Sequence, residues 1–182
     1  MQDSITLRQA NASDAPGIAH VHVTTWRQAY RGIVSQSYLQ SLDIDKRTDF
    51  WERCLSGSGL DGHRTLVAES KGGTIVGFAT YGREREGGGP RDGEIGALYV
   101  LPDDQRQGIG TRLLTGSARL LLQEKFETLL IWVLSANPAR AFYAKLGGRA
   151  VREKNIQFGG AKLIEVAYFW PDMDAAFWSK PG

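Results

Sequence analysis

Glu94-Ile95-Gly96-Ala97-Leu98-Tyr99-Val100-Leu101-Pro102-Asp103-Asp104-Gln105-Arg106-Gln107-Gly108-Ile109-Gly110-Thr111-Arg112-Leu113-Leu114 is the stretch on which the reading of this chain turns. Its first seven residues read as a strand over 94–100, and Pro102-Asp103-Asp104 breaks that strand with a polar turn. A helix over 109–123 follows, carrying Ile109, Leu113, Leu120 and Leu121 towards a core at helical spacing. Gly108 and Gly110 lie at the strand-to-helix junction, where small residues let backbone N–H groups approach an anion. The helix start adds unpaired donors and the positive end of a dipole. A pyrophosphate is the natural guest, and the competing reading is a tight turn with no ligand.

Two familiar phosphate motifs are excluded. No G-x-x-x-x-G-K-[ST] run exists, and a dinucleotide fingerprint needs a third glycine where Leu113 stands. Gly57 to Gly62 does spell G-x-G-x-x-G, but it follows a helix and precedes a strand, the reverse of the required context.

Working outward, the pattern predicts a strand over 5–8. A helix follows from about Ser13 with Ala19, Val23, Trp26 and Tyr30 on one face, ended by Gly32. Short helices are predicted over 37–42 and 46–55, then a turn-rich break over 56–63. Strands over 65–69 and 74–81 form a hairpin through Lys71-Gly72-Gly73. Residues 82–93 read as a loop, in which Arg83 to Glu86 form a solvated run of alternating charge. Beyond the central helix come a strand over 129–133, a helix over 138–146, and a hairpin of 150–158 and 162–170 turned by Gly159-Gly160. The sum is α+β or mixed α/β with one main sheet, in a single domain over 1–182.

Composition narrows the function classes. The chain has 182 residues, 42% hydrophobic and 23% charged, an ordinary globular mix. Twenty-two Lys and Arg against twenty Asp and Glu leave +2, spread evenly along the chain, so no basic arm points to nucleic acid. One cysteine, Cys54, excludes an internal disulfide framework, and with only three histidines the usual zinc sites cannot be built. No apolar run approaches a membrane span, and no secretory leader is visible at the N-terminus, so the expectation is a soluble cytoplasmic protein.

The residues also resemble a family. Gln105, Gly108 and Gly110 fit Q/R-x-x-G-x-G/A, the acetyl-CoA signature of the GNAT superfamily of N-acetyltransferases, and they sit in that signature's strand-to-helix context. About thirty residues on, Asn137-Pro138-Ala139-Arg140-Ala141-Phe142-Tyr143-Ala144-Lys145-Leu146-Gly147-Gly148 is similar to the family's N-x-x-a-x-x-F-Y-x-x-x-G-F segment. The opening resembles one branch, with Arg8 ending a strand, Asp14-Ala15, and W-x-x-A-Y-x-G-I from Trp26 to Ile33.

The resemblance implies the GNAT fold, a mixed, mostly antiparallel seven-stranded sheet flanked by helices, whose parallel fourth and fifth strands splay apart to admit acetyl-CoA. It implies that Leu98, Tyr99 and Val100 line the pantetheine arm, with main-chain bonds from Leu98 and Val100 and an oxyanion donor nearby. Gln105, Arg106, Gln107, Gly108, Ile109, Gly110 and Thr111 would then wrap the pyrophosphate. Asn137 would bridge CoA groups and the fifth strand, or cap a helix one residue before Pro138.

Tyr143 is the candidate acid for the departing sulfur, against the alternative of a core aromatic beside Phe142. Glu94 is the candidate base, directly or through water, against a solvated strand-end carboxylate. Trp26 and Tyr30 would line the acceptor pocket or belong to the core, while His22 reads as a helix-surface histidine and Cys54 as a buried thiol. Direct transfer to a primary amine follows, the acceptor being a small molecule. A peptide or protein amine and a non-catalytic acyl-CoA-binding module are the alternatives. Family members often dimerise, so a homodimer is expected, while no nucleic acid, membrane or metal is. Two positions depart from the pattern: Gln105 stands for the more frequent arginine, and Gly148 for phenylalanine.

Overall fold

Seven segments of alternating or continuous apolar character pair into one mixed sheet, in the order β1-β2-β3-β4-β5-β7-β6. The computed structural model describes residues 5–58 and 62–178. Residues 1–4, on which the leaderless reading rests, lie outside the described residues. So do residues 59–61 of the turn-rich break, with Gly59 of the Gly57 to Gly62 match. The strands are β1 Thr6–Gln9, β2 Arg64–Glu69, β3 Ile75–Arg83, β4 Asp92–Val100, β5 Thr128–Leu134, β6 Arg149–Phe158 and β7 Ala161–Trp170. All neighbours run antiparallel except β4 and β5, which are parallel. The expected seven-stranded α+β architecture is what the chain forms.

The helices are α1 Ala15–Ala29, α2 Gln36–Ser41, α3 Ile44–Arg53, α4 Ile109–Gln123, α5 Arg140–Lys145 and α6 Met173–Phe177. Side chains start several of them. Ser35 accepts from Tyr38 N–H, Asp43 from Lys46 N–H and Asp172 from Ala175 N–H, each satisfying a donor that has no partner inside its helix. The helix α4 has the bounds its apolar spacing predicts, and buries Ile109, Leu113, Leu114, Ala118 and Leu121 against one face of the sheet. Each fully buried leucine there stabilises the fold by about 1.5–3 kcal/mol relative to an exposed one.

The opposite face carries α1 and α3, where Ile18, Trp51, Val67 and Phe78 pack together. A third cluster joins Val23, Tyr30, Val34 and Leu39 to Leu134. It is closed by the β6–β7 turn, where Gly159 and Gly160 both have positive φ, as a two-residue hairpin turn requires. The tip rests on the α1–α2 connection, with Ser35 Oγ donating to Gly159 C=O at 3.2 Å and the Phe158 ring 4.9 Å from that of Tyr38.

His22 is not the surface histidine that helical spacing suggested. It is 8% exposed, because α3 covers it, and its Nδ1 accepts from Trp51 Nε1 at 3.2 Å. Burial, and secondarily the charge of Arg47, pushes its pKa down to about 3, so the ring stays neutral. Cys54 is the buried thiol expected, its pKa raised by burial.

Candidate active site

The strands β4 and β5 pair only from Asp92↔Thr128 to Glu94↔Leu130 and then part. Beyond that point β4 bonds only to β3. Leu101 N–H donates to Val76 C=O at 2.8 Å, and the register Val100↔Gly77, Tyr99↔Phe78, Leu98↔Ala79 runs back from it. In an antiparallel ladder alternate residues bond to the neighbour, so Tyr99 faces β3, while the N–H and C=O groups of Leu98 and Val100 face the splay. Gly96 is the extra residue of a bulge opposite Thr80 and Tyr81, and is itself exposed. The backbone expected to meet a pantetheine arm is therefore presented at Leu98 and Val100. Tyr99 is different, since its main chain belongs to β3 and its ring lies on the α1 face.

At the mouth of the splay Arg106 (φ 62) and Gly108 (φ 80) take left-handed backbone angles, which curl residues 105–108 ahead of α4. Gly108 is the N-cap and offers no side chain, so the first N–H groups of α4, at Ile109, Gly110 and Thr111, are not capped by one. Gln105 turns inward, its Nε2 donating to Val100 C=O at 3.0 Å, which ties the loop to the end of β4. Glutamine here thus does a structural job rather than supplying a charge. Gln107 Nε2 donates to Asp103 C=O in the same loop. Gly110, in the first turn of α4, faces Phe142 of α5, where a Cβ would stand in ordinary contact at 3.5 Å.

Tyr143 of α5 is 6% exposed, packs against Phe142 and Tyr168, and has its pKa raised well above the ordinary phenol by burial and then by Tyr30. The Tyr30 and Tyr99 oxygens are 3.4 Å apart. Trp26 stands edge-on to Tyr30, with ring centroids 5.0 Å apart, and also touches Tyr99 and Phe158. Tyr30 is buried and Trp26 half-buried, and both pack in the cluster of Val23, Val34 and Leu39, as the core reading expects. Asn137 lies before α5 and accepts from Ala139 N–H at 2.9 Å through its side-chain oxygen, a turn-closing bond.

Glu94 is not a solvated carboxylate. It is 3% exposed, and both its oxygens accept from Arg85: Oε1 from Nη2 at 2.7 Å, Oε2 from the backbone N–H at 3.2 Å and from Nε at 3.3 Å. Within the run Arg83 to Glu86, Arg83, Arg85 and Glu86 are exposed, as a solvated run expects, while Glu84 turns inward. Glu84 is buried and accepts from the N–H groups of Glu86 and Gly88, and Glu86 pairs with Lys154 of β6. Sequence reasoning missed this far wall, formed by Trp132 on β5, Arg152 and Lys154 on β6, and Glu165 on β7. Lys154 Nζ lies 4.0 Å from the Trp132 ring centre and 3.4 Å from Glu165, and Arg152 lies 5.4 Å from the same ring. Their signal was the alternation of Arg152, Lys154 and Ile156 on one face of β6, which the read strand already contained.

Among the described residues no group of three or more His, Cys, Asp or Glu is placed to hold a metal ion, and no helix is long and apolar enough to cross a membrane.

Residues 21–148 match the model of the acetyltransferase (GNAT) family. The uncharacterized N-acetyltransferase YuaI of Bacillus subtilis is 38% identical over 172 residues, covering 94% of this chain and 95% of that one. A probable N-acetyltransferase of Mycobacterium tuberculosis is 32% identical over 172 residues, covering 91% and 92%. In fold, the chain superposes on PaiA N-acetyltransferase from Thermoplasma acidophilum, solved with coenzyme A, with a TM-score of 0.68 at 22% identity over 90% of this chain and 98% of that one. The splayed parallel pair, the glycine loop and these matches together place the chain in the GNAT superfamily, as an acetyl-CoA-dependent N-acetyltransferase.

Proposed function

We propose that this enzyme moves the acetyl group of acetyl-CoA to a primary amine of a small molecule by direct attack, within one domain spanning the chain. The observation that carries the reading is the wedge, where β4 and β5 separate beyond Glu94 and Leu130 with the main chain of Leu98 and Val100 turned into the gap. Gln105 already meets Val100 C=O, the remaining main-chain groups in the gap need partners, and the amides of a pantetheine arm can act as the missing strand. PaiA, which shares the fold, was solved with coenzyme A.

In this reading the N–H groups of residues 106–111 receive the pyrophosphate, with Arg106 adding charge. A thioester supplies an activated acyl group and a leaving thiolate. An N–H near Leu98 to Val100 faces the carbonyl oxygen as negative charge builds on it. Tyr143 then meets the sulfur. Its raised pKa keeps the phenol protonated across the working range, while a thiol near pKa ~8.5 is the weaker base. Tyr143 therefore stabilises the thiolate by donating a hydrogen bond, without surrendering its proton in full. The amine must lose a proton to attack. Arg85 occupies both oxygens of Glu94, so the proton reaches that carboxylate through a water.

The closed end of the cleft favours a small acceptor over a peptide. The β6–β7 tip is clasped to the α1–α2 connection through Ser35 and Gly159, and Phe158 packs on Trp26 and Tyr38. The reading carries with it the sequence expectations of a cytoplasmic setting and a homodimer. Calorimetric titration with acetyl-CoA, with CoA as comparison, tests it. Saturable binding at about −8 kcal/mol, the micromolar range, supports the cofactor site, and no binding up to millimolar concentration removes it. Acetyl transfer to an amine panel, lost in Tyr143→Phe, separates an enzyme from a binding module.

A further inference from the structure

The far wall of the cleft carries one cation whose bonding capacity is unspent. Arg152 lies over the Trp132 ring, 5.4 Å from ring centre to guanidinium carbon, and its side chain stays 49% exposed. Among the described residues it makes no hydrogen bond, and its one ion pair, to Glu84, is long at 3.7 Å. Glu84 is already committed, since its two oxygens accept from the N–H groups of Glu86 and Gly88. The neighbouring cation differs. Lys154 is held by Glu86, by Glu165 at 3.4 Å and by the Trp132 face.

A guanidinium beside an indole, with no hydrogen bond made by its fork of donors among the described residues, matches the geometry of a carboxylate or another oxyanion. Its place in the cleft follows from the register. Arg152 pairs with Ala167, and Ala167 with Trp132, the second β5 residue beyond the last pairing with β4. Trp132 thus lies where the wedge opens, with Arg152 brought beside it across Ala167 of β7. Glu165, one register step from Arg152 on the same face, supplies the opposite charge beside Leu134, which packs in the cluster of Tyr30.

We infer that Arg152, lying over Trp132, selects acceptors that carry an anionic group besides the amine, so that the substrate class is an amino carboxylate or an amino phosphonate. The inference rests on the proposed acetyl transfer for its meaning, but its site is testable separately. The test titrates ¹⁵N-labelled protein, with and without CoA, with ω-amino carboxylates of increasing chain length, with alkylamines of matched length and with 3-aminopropylphosphonate. The Trp132 indole N–H resonance, assigned through Trp132→Phe, is the readout.

The expected result is a preference of about tenfold or more for an amino carboxylate or amino phosphonate over the matched alkylamine, as a forked charge-assisted contact provides. The two anionic arms distinguish the oxyanion. Arg152→Gln abolishes the preference and Arg152→Lys restores part of it, whereas Lys71→Gln, which removes one charge in the distant β2–β3 turn, leaves it intact. Alkylamines binding wild type as well as their anionic partners overturn the inference without any variant. An anionic preference in a protein that fails to bind CoA keeps the Arg152 site and removes the acetyl-transfer reading, so the two failures are distinguishable.

Discussion

The indole of Trp170 occupies the space into which a side chain on Gly148 would project: a Cβ there would stand 2.6 Å from the ring. Trp170 is fully buried and donates from Nε1 to Leu146 C=O at 2.8 Å, closing the end of α5. The family's usual phenylalanine is thus replaced by an aromatic from β7, and the apolar support behind α5 is kept. Gly148→Ala is expected to destabilise the fold by about 2 kcal/mol, as overpacking a rigid ring does. A urea midpoint unchanged by this substitution would contradict the packing described.

Tyr143→Phe is expected to lower kcat by ~10²–10³-fold, the cost of losing one donor to developing charge, while leaving the Kd for acetyl-CoA and the thermal midpoint close to wild type. The raised pKa adds a second expectation, that no falling limb attributable to Tyr143 enters the pH–rate profile below pH ~10. A variant that loses binding and turnover together would place Tyr143 in the core rather than at the sulfur.

Glu94→Gln keeps the shape of the contact with Arg85 but removes the charge. With the proton relayed to Glu94 through water, kcat/KM at neutral pH is expected to fall by about 10²-fold and to regain activity as rising pH deprotonates the free amine. If the variant retains both the rate and its pH dependence, another group takes the proton.

Gly108→Asp is expected to abolish CoA binding in calorimetry. It sets a carboxylate against the pyrophosphate, and aspartate tolerates the left-handed backbone at φ 80 better than most residues, so the fold survives. Unaltered CoA affinity would show that the loop is only a turn.

His22 sets a pH dependence of stability. Its folded pKa, about 3, lies below the ordinary value of 6.5, so below pH 6.5 the unfolded chain takes up a proton that the native state refuses. Stability is whole above pH 6.5 and declines as pH falls towards 3, by up to about 1.4 kcal/mol per unit. Asp14, its carboxyl held low chiefly by the hydrogen bond from Arg8, adds a loss only below pH 3.8. Urea melts between pH 6.5 and 4.5 lie above the loss from Asp14, and His22→Gln should reduce the slope there. An equal slope in both proteins would reassign it.

The helix over 109–123 was legible to its ends because glycine at the junction and an apolar period coincide there, and no distant residue alters either. The start of β4 was read two residues late, because Asp92 and Gly93 are poor strand formers and become strand only by pairing with Arg83 and Thr128. The five-residue α6 was missed, being too short to show a period. Site geometry was less legible. Arg85 covers Glu94, Lys154 reaches Glu86 across 68 positions, and Trp51 caps His22 across 29, and such pairings leave no local mark. Local motifs thus mark the candidate cofactor side, and only the assembled sheet shows the pairings around Glu94 and Trp132.

In the proposed reading, the gap between β4 and β5 also lets a bound small molecule add to the stability of the sheet. With acetyl-CoA seated, the proposed strand-like contacts at Leu98 and Val100 exist only in the native state, so ligand at 100 times its Kd adds about 2.7 kcal/mol of resistance to unfolding. Amide exchange along residues 96–100 should then slow on binding, and proteolytic survival should follow the acetyl-CoA supply. The persistence of the polypeptide would thereby become a gauge of the metabolite it consumes.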